Sequence, residues 1–205
     1  AHRRVVLDRG HAEELMSMVT AVLADANLSW ADLGGLGVTH GPGTFTGLRV
    51  GLAAARGIAL VRRLPIAAFS SLHVLAAGAV RVGHAGTSEP ILAVSDARRG
   101  EVYTQAFGPG VRPLGPPELL PLATAAKRVP AREAAVIGTG ADLLLAAQPD
   151  LIARLRPLRE QLHPDAIDVA NLALAAMTAP GWVNPAPPRP LYIRAPHATS
   201  WKDKM

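Results

Sequence analysis

A chain of 205 residues, 49% of them hydrophobic and 18% charged, can bury a sizeable core, so disorder is not the default state. It has no cysteine, which excludes a disulfide framework, a thiol nucleophile and cysteine-ligated zinc or iron–sulfur centres, and which suits a reducing compartment. The net charge of +5 and pI near 10.4 raise the question of nucleic acid, but the basic residues are scattered and read more simply as a solvated surface. Apart from Lys127, Lys202 and Lys204 they are arginines, and the pairs Arg3-Arg4, Arg62-Arg63 and Arg98-Arg99 form no run with interleaved aromatics.

Arg3 to Leu7 reads as a short strand, and the Asp8 that follows predicts no secretory leader. His11 to Ala26 carries Leu15, Met18, Val19, Val22 and Leu23 at a helical period. Gly35 to Thr39 is a second strand, ended by His40-Gly41-Pro42-Gly43, and a helix is predicted from Thr44 to Arg62. Its apolar part, Val50 to Val61, is cut by Arg56 and is too short and too charged to span a bilayer, which fits a cytoplasmic protein. A strand at Pro65 to Phe69 and a helix opened by Ser70 or Ser71 complete a strand–helix alternation that favours parallel pairing.

The second half opens differently. Ile91 to Ser95 and Glu101 to Phe107 form a hairpin joined by Asp96-Ala97-Arg98-Arg99-Gly100. The stretch containing Pro109, Pro113, Pro116 and Pro117 reads as an exposed loop. Ala134 to Gly138 is a strand, and Ala141 to Ala147 and Asp165 to Met177 are helices. Residues 185–194, with four prolines, must be extended. Gly83, Gly86, Thr87 and Ser88 break the pattern, so a first lobe over 1–85, a second over 86–184 and a tail over 185–205 are expected.

The segment from His40 to Gly51 mimics a phosphate loop but is not one. Leu48 and Arg49 stand where a Walker loop needs lysine and Ser or Thr, and the third glycine, Gly47, comes one residue late for a dinucleotide fingerprint. Thr44 or Thr46 can cap the helix, which puts Gly47, Gly51, Ala54 or Ala55, and Ile58 on one stripe. Glycine inside a helix costs about 1 kcal/mol against alanine. Two of them four apart point to a backbone packed very close, in the chain's own sheet or in a helix of another chain, and spacing leaves both open.

These residues carry a resemblance. Gly41 to Gly57, followed by Pro65-Ile66 and Ser70-Ser71-Leu72, resembles the signature of the TsaB (YeaZ) family. Asp96 to Tyr103 is similar to the family's hairpin, Pro190 to Pro196 to its C-terminal tail, and His11 to Leu15 to the start of its first helix. The resemblance implies an α/β fold of the two-lobed actin, Hsp70 and hexokinase (ribonuclease-H-like) type, from which the first strand–hairpin of the family is missing here. It also implies a non-catalytic subunit that supports the TsaD transferase in threonylcarbamoylation of tRNA, with the TsaE ATPase as a third member. Such a subunit meets its partner through a helical bundle and forms a homodimer when alone. The implied interface residues are His11, Leu15, Met18, Gly47, Gly51, Ala54 and Ala55. ATP or ADP is implied, if at all, at the interface of the complex rather than in a site of this chain.

The related catalytic subunit holds its metal with His-x-x-x-His, and in the corresponding stretch Ser71 and Leu75 flank His73 and fill neither ligand position. His73 is then a helix-surface or core histidine, and no metal or catalytic residue is expected. Asp96 reads as a turn-capping acid with Arg98 or Arg99 as local partner, and as a nucleotide-positioning group only in the alternative. Tyr103 and Tyr192 are expected at strand edges. The alternative is a superfamily enzyme with ATPase or peptidase-like activity carried by Asp96 and His40; a third reading, a tRNA-binding module acting alone, rests on charge.

Overall fold

Leu36–Gly41 (β1) and Ile66–Ser70 (β2) lie parallel, with Leu36 opposite Ile66 and Thr39 opposite Phe69. The helix Phe45–Arg62 (α2) makes the crossover between them. These features belong to a computed structural model that describes residues 1–5, 10–125, 128–129, 133–160 and 163–194. His11–Asp25 (α1) packs on α2, and Ser71–Arg81 (α3) follows β2 directly. Caps explain the two sharp helix starts: Thr44 Oγ1 accepts the Gly47 N–H and Ser70 Oγ accepts the His73 N–H.

A second, larger sheet is built from Ile91–Asp96 (β3), Glu101–Gly108 (β4), Arg112–Pro113 (β5), Glu118–Pro121 (β6), Ala134–Ile137 (β7) and Leu155–Leu158 (β8). Its order is β5-β4-β3-β7-β8, with β6 also on β4; β3 and β4 are antiparallel, while β7 is parallel to β3 and to β8. Both faces are covered. Ile91, Ala93, Phe107, Ala135 and Ile137 pack with Leu72, Leu75 and Ala76 of α3. Leu92, Val94, Val102 and Val136 pack on the opposite face with Leu144 and Leu145 of Ala141–Ala147 (α5). A short helix, Leu122–Ala125 (α4), adds Ala125 to that face.

The last helix, Ala166–Thr178 (α6), is capped by Asp165 and returns to the first sheet. Glycine makes that return possible: a Cβ at Gly37 would lie 2.9 Å from Val169 Cγ1, and one at Gly35 only 2.6 Å from Met177 Sδ. Asp168, 1% exposed, clips α6 to α3 by accepting hydrogen bonds from Arg81 Nε at 2.5 Å and Nη2 at 3.2 Å.

Several elements depart from the sequence reading. Arg3 to Val5 form no strand, and Val6 and Leu7 lie outside the described residues. The proline-rich stretch is not all loop, because Arg112–Pro113 within it pairs as β5 with β4, and just beyond it the Leu119-Leu120 pair supplies apolar side chains to β6 along β4. β8 and α4 are short elements that no periodicity announced. Residues 185–194 are extended as expected, while the end of the tail motif, Ala195-Pro196, lies outside the described residues.

Candidate partner interface and the turn at Asp96

Helix α2 has three flanks. Leu48, Leu52 and Ala59 are buried toward the first sheet. Gly47, Gly51, Ala54 and Ile58 lie on a second flank, since steps of four and seven return to one side of a helix. This flank is not pressed against the chain's own sheet. A Cβ at Gly51 would find no heavy atom of the described residues within 4 Å, so the space over it is open among them. Gly47 differs only locally, because a Cβ there would lie 2.7 Å from its own cap, Thr44 Oγ1. Ala54 and Ala55 are half-buried.

Helix α1 stands beside α2 with none of its residues fully buried. Leu15 and Met18 are half-buried, Met16 is 42% exposed, and His11 is exposed in the first turn. An amphipathic helix that leaves this much of its apolar face in reach of water has surface available for a partner. Glu13 and Glu14 in its first turn complement the helix dipole and keep that end acidic.

The Asp96 turn is held from within. Asp96 Oδ1 accepts the Arg98 N–H at 2.7 Å, Oδ2 faces Arg98 Nη1 at 3.2 Å, and the Asp96 N–H donates to Thr139 Oγ1 at 3.1 Å. These bonds offset the cost of placing Arg98 and Arg99 at φ 65° and 59°. The neighbouring Gly138-Thr139-Gly140 turn is occupied by the chain itself. A Cβ at Gly138 would meet the Val94 carbonyl oxygen at 2.3 Å, and one at Gly140 would meet Val94 Cγ1 at 2.8 Å. These glycines serve internal packing, and Asp96 is engaged within its own turn.

The histidines have structural surroundings. His73 lies edge-on to Phe69 at 5.9 Å and stacked on Phe107 at 5.4 Å, and burial pushes its imidazole below the ordinary range. Ser70 Oγ, besides capping α3, donates to Gln105 Oε1 at 2.6 Å, and Ser71 Oγ donates to the Pro42 carbonyl. Burial also lowers His40, opposed by a hydrogen bond with the backbone of Arg189. Among the described residues no group of three or more His, Cys, Asp or Glu is placed to hold a metal ion.

The sequence reading missed a cluster at the start of α2. Tyr192 is not at a strand edge: its ring stacks on Phe45 at 5.7 Å, and its Oη accepts from Arg49 Nε at 2.9 Å. Arg49 Cζ lies 3.6 Å from the Phe45 ring centroid. The tail reaches this point along α2 and β1, with Leu191 N–H donating to the His40 carbonyl, and continues to the hairpin, where Arg194 bonds the Ala97 carbonyl and Glu101. The sequence held a signal for it in the Tyr-Ile-Arg of the tail, but its contacts are 143 residues away in the chain. Tyr103 is not at an edge either: it lies on β4 between Ser95 of β3 and Leu119 of β6 and packs against the α3 core. Among the described residues no helix is long and apolar enough to cross a membrane.

A family model described as TsaD, tRNA N6-adenosine threonylcarbamoyltransferase, matches residues 5–112. A Mycobacterium tuberculosis relative of uncharacterized function is 36% identical over 198 residues, covering 95% of this chain and 81% of its own length. The Escherichia coli tRNA threonylcarbamoyladenosine biosynthesis protein TsaB is 40% identical over 95 residues, 46% of this chain and 40% of that protein. The structure of YeaZ from Pseudomonas aeruginosa superposes with a TM-score of 0.75 at 28% identity, covering 92% of this chain and 86% of that one. The chain therefore belongs to the TsaB (YeaZ) family and has its actin-like, ribonuclease-H-like fold.

Proposed function

We propose that this chain is the non-catalytic partner subunit of a TsaD-type transferase in bacterial synthesis of threonylcarbamoyladenosine on tRNA. The observation that carries the proposal is the open flank of α2 at Gly51, beside a helix α1 with no fully buried residue. A partner helix laid there can approach the α2 backbone closely at Gly47, Gly51 and Ala54 and bury Leu15 and Met18, giving a bundle of four helices. Without the transferase a second copy of this chain occupies the same flank. TsaE joins the larger assembly, and the complex works in the cytoplasm. Any ATP or ADP sits at the interface of that complex, a reading supported by the internal use of Gly138, Gly140 and Asp96.

The test is a reconstituted modification assay on tRNA. The chain alone is expected to give no threonylcarbamoyladenosine and the transferase with this chain to give it. Asp96→Asn, which keeps an oxygen for the Arg98 N–H, retains the activity. Turnover by the chain alone, or loss of turnover in a normally folded Asp96→Asn complex, would instead favour the enzymatic reading.

A further inference from the structure

The third flank of α2 is basic in a way that the linear sequence conceals. Between Leu33 and Ser88 there is no Asp or Glu, and the five charged residues are Arg49, Arg56, Arg62, Arg63 and Arg81. Arg49 and Arg56 are seven apart, so they lie on one side of the helix about 10.5 Å apart, and Arg63 follows at its C-cap, where φ 55° takes the chain off the helical course. That side lies across the helix from Gly47 and Gly51 by the same periodicity. All three are exposed, and no carboxylate among the described residues pairs with Arg56, Arg62 or Arg63.

The tail adds to this flank. Asn184, Pro185 and Pro187 line a groove with Arg56, Leu60 and Leu64, and Tyr192 sits on Phe45 and Arg49. The exposed Arg189 lies on the stretch of tail between those two contacts, with its backbone hydrogen-bonded to His40. Phe45 and Tyr192 remain 57% and 49% exposed, which leaves aromatic surface at one end of the row. Arg49, fixed by Tyr192 and Phe45, spends one N–H on that contact and has four left for another acceptor.

We propose that this flank, Arg49, Arg56, Arg63 and Arg189 with the Phe45–Tyr192 pair, contacts the sugar–phosphate backbone of tRNA. The inference rests on the tRNA-modification reading above and adds a direct role for this subunit in holding the substrate. Guanidinium forks suit phosphate oxygens, exposed aromatic rings suit an unstacked base, and a row free of carboxylates repels nothing on a polyanion. The flank is separate from the glycine flank, so tRNA and the protein partner can be held together.

Anisotropy of labelled tRNA titrated with the purified chain between about 50 and 200 mM salt tests this. The wild type is expected to bind with a log–log salt slope near −3, which corresponds to about four phosphate contacts. Arg49→Gln/Arg56→Gln/Arg63→Gln is expected to bring the slope to about −1 and to weaken binding about tenfold or more at the low-salt end. Arg56→Gln/Arg63→Gln, which breaks no internal contact, gives the same direction if the triple variant is unstable. Arg112→Gln, on the far sheet, leaves the slope unchanged. Unaltered binding by folded α2 variants, or an equal effect of Arg112→Gln per charge, overturns the proposal. So does loss of transferase binding or of self-association in Arg56→Gln/Arg63→Gln, because the row would then be a protein interface. A wild-type chain that binds the transferase but shows no salt-dependent tRNA binding overturns this inference alone and leaves the partner reading standing.

Discussion

Gly51→Leu separates the contribution of a residue to the fold from its contribution to assembly. In the isolated chain the substitution relieves the backbone entropy of an interior helical glycine, about 0.8 kcal/mol. The new Cβ meets no heavy atom of the described residues within 4 Å. For a chain of 205 residues that corresponds to a rise in Tm of about 2–3 °C. At an interface with closely approaching backbones the same side chain is an overpacking error, costing about 1–3 kcal/mol or a 5- to 150-fold loss of affinity. Gly47→Ala is the internal control, because its Cβ would press on Thr44 Oγ1 at 2.7 Å and disturb a cap that contributes about 1 kcal/mol. That variant should gain nothing in Tm. Differential scanning calorimetry on the isolated chain and isothermal titration against the transferase read the two effects. Unfolding of Gly51→Leu would mean that the stripe packs inside the monomer, and a stable Gly51→Leu chain with unchanged affinity would mean that the partner docks elsewhere.

Asp168→Ala removes the buried carboxylate that joins α6 to α3 and should cost about 3 kcal/mol in chemical denaturation, the low end for a buried pair because Arg81 is 35% exposed and can rehydrate; a loss below 1 kcal/mol would show the clip to be dispensable. Thr104 Oγ1 is buried in the second sheet without a hydrogen-bond partner among the described residues, so Thr104→Val should raise stability by about 1 kcal/mol, and a fall would reveal a partner for the hydroxyl. His73 is held neutral by burial, so the unfolded chain binds the extra proton and stability is complete above about pH 6.5 and declines as pH falls below it. His73→Leu should flatten that decline, by at most about 1.4 kcal/mol per pH unit, and an unchanged pH profile would count against it.

What could be read from the sequence followed from local physical chemistry. The α2 helix was legible from end to end because Thr44, its apolar period and the break after Arg62 all act within the segment. The β3–β4 hairpin was legible because Asp96 through Gly100 is turn chemistry flanked by β-branched and apolar runs. β6 and β8 were not, since each is four residues long and holds its place only through β4 or β7. The glycines at 35 and 37 gave no hint of α6, whose Val169 and Met177 lie more than a hundred residues later. Spacing alone left the Gly47–Gly51 stripe undecided between sheet and partner; the open space over Gly51 could come only from coordinates. The arginine flank was legible only in part. Arg49 and Arg56 are seven apart on a helix that the sequence announces, but Tyr192 joins them from a tail 143 residues beyond Arg49.

The central claim is tested most directly by mixing the purified chain with a TsaD-family transferase and measuring the mass of the product by light scattering. A stable heteromeric complex that displaces the chain's own dimer, and that Gly51→Arg prevents while the variant stays folded, is the expected result. Two proteins that elute separately with unchanged masses, or a complex indifferent to Gly51→Arg, would contradict it.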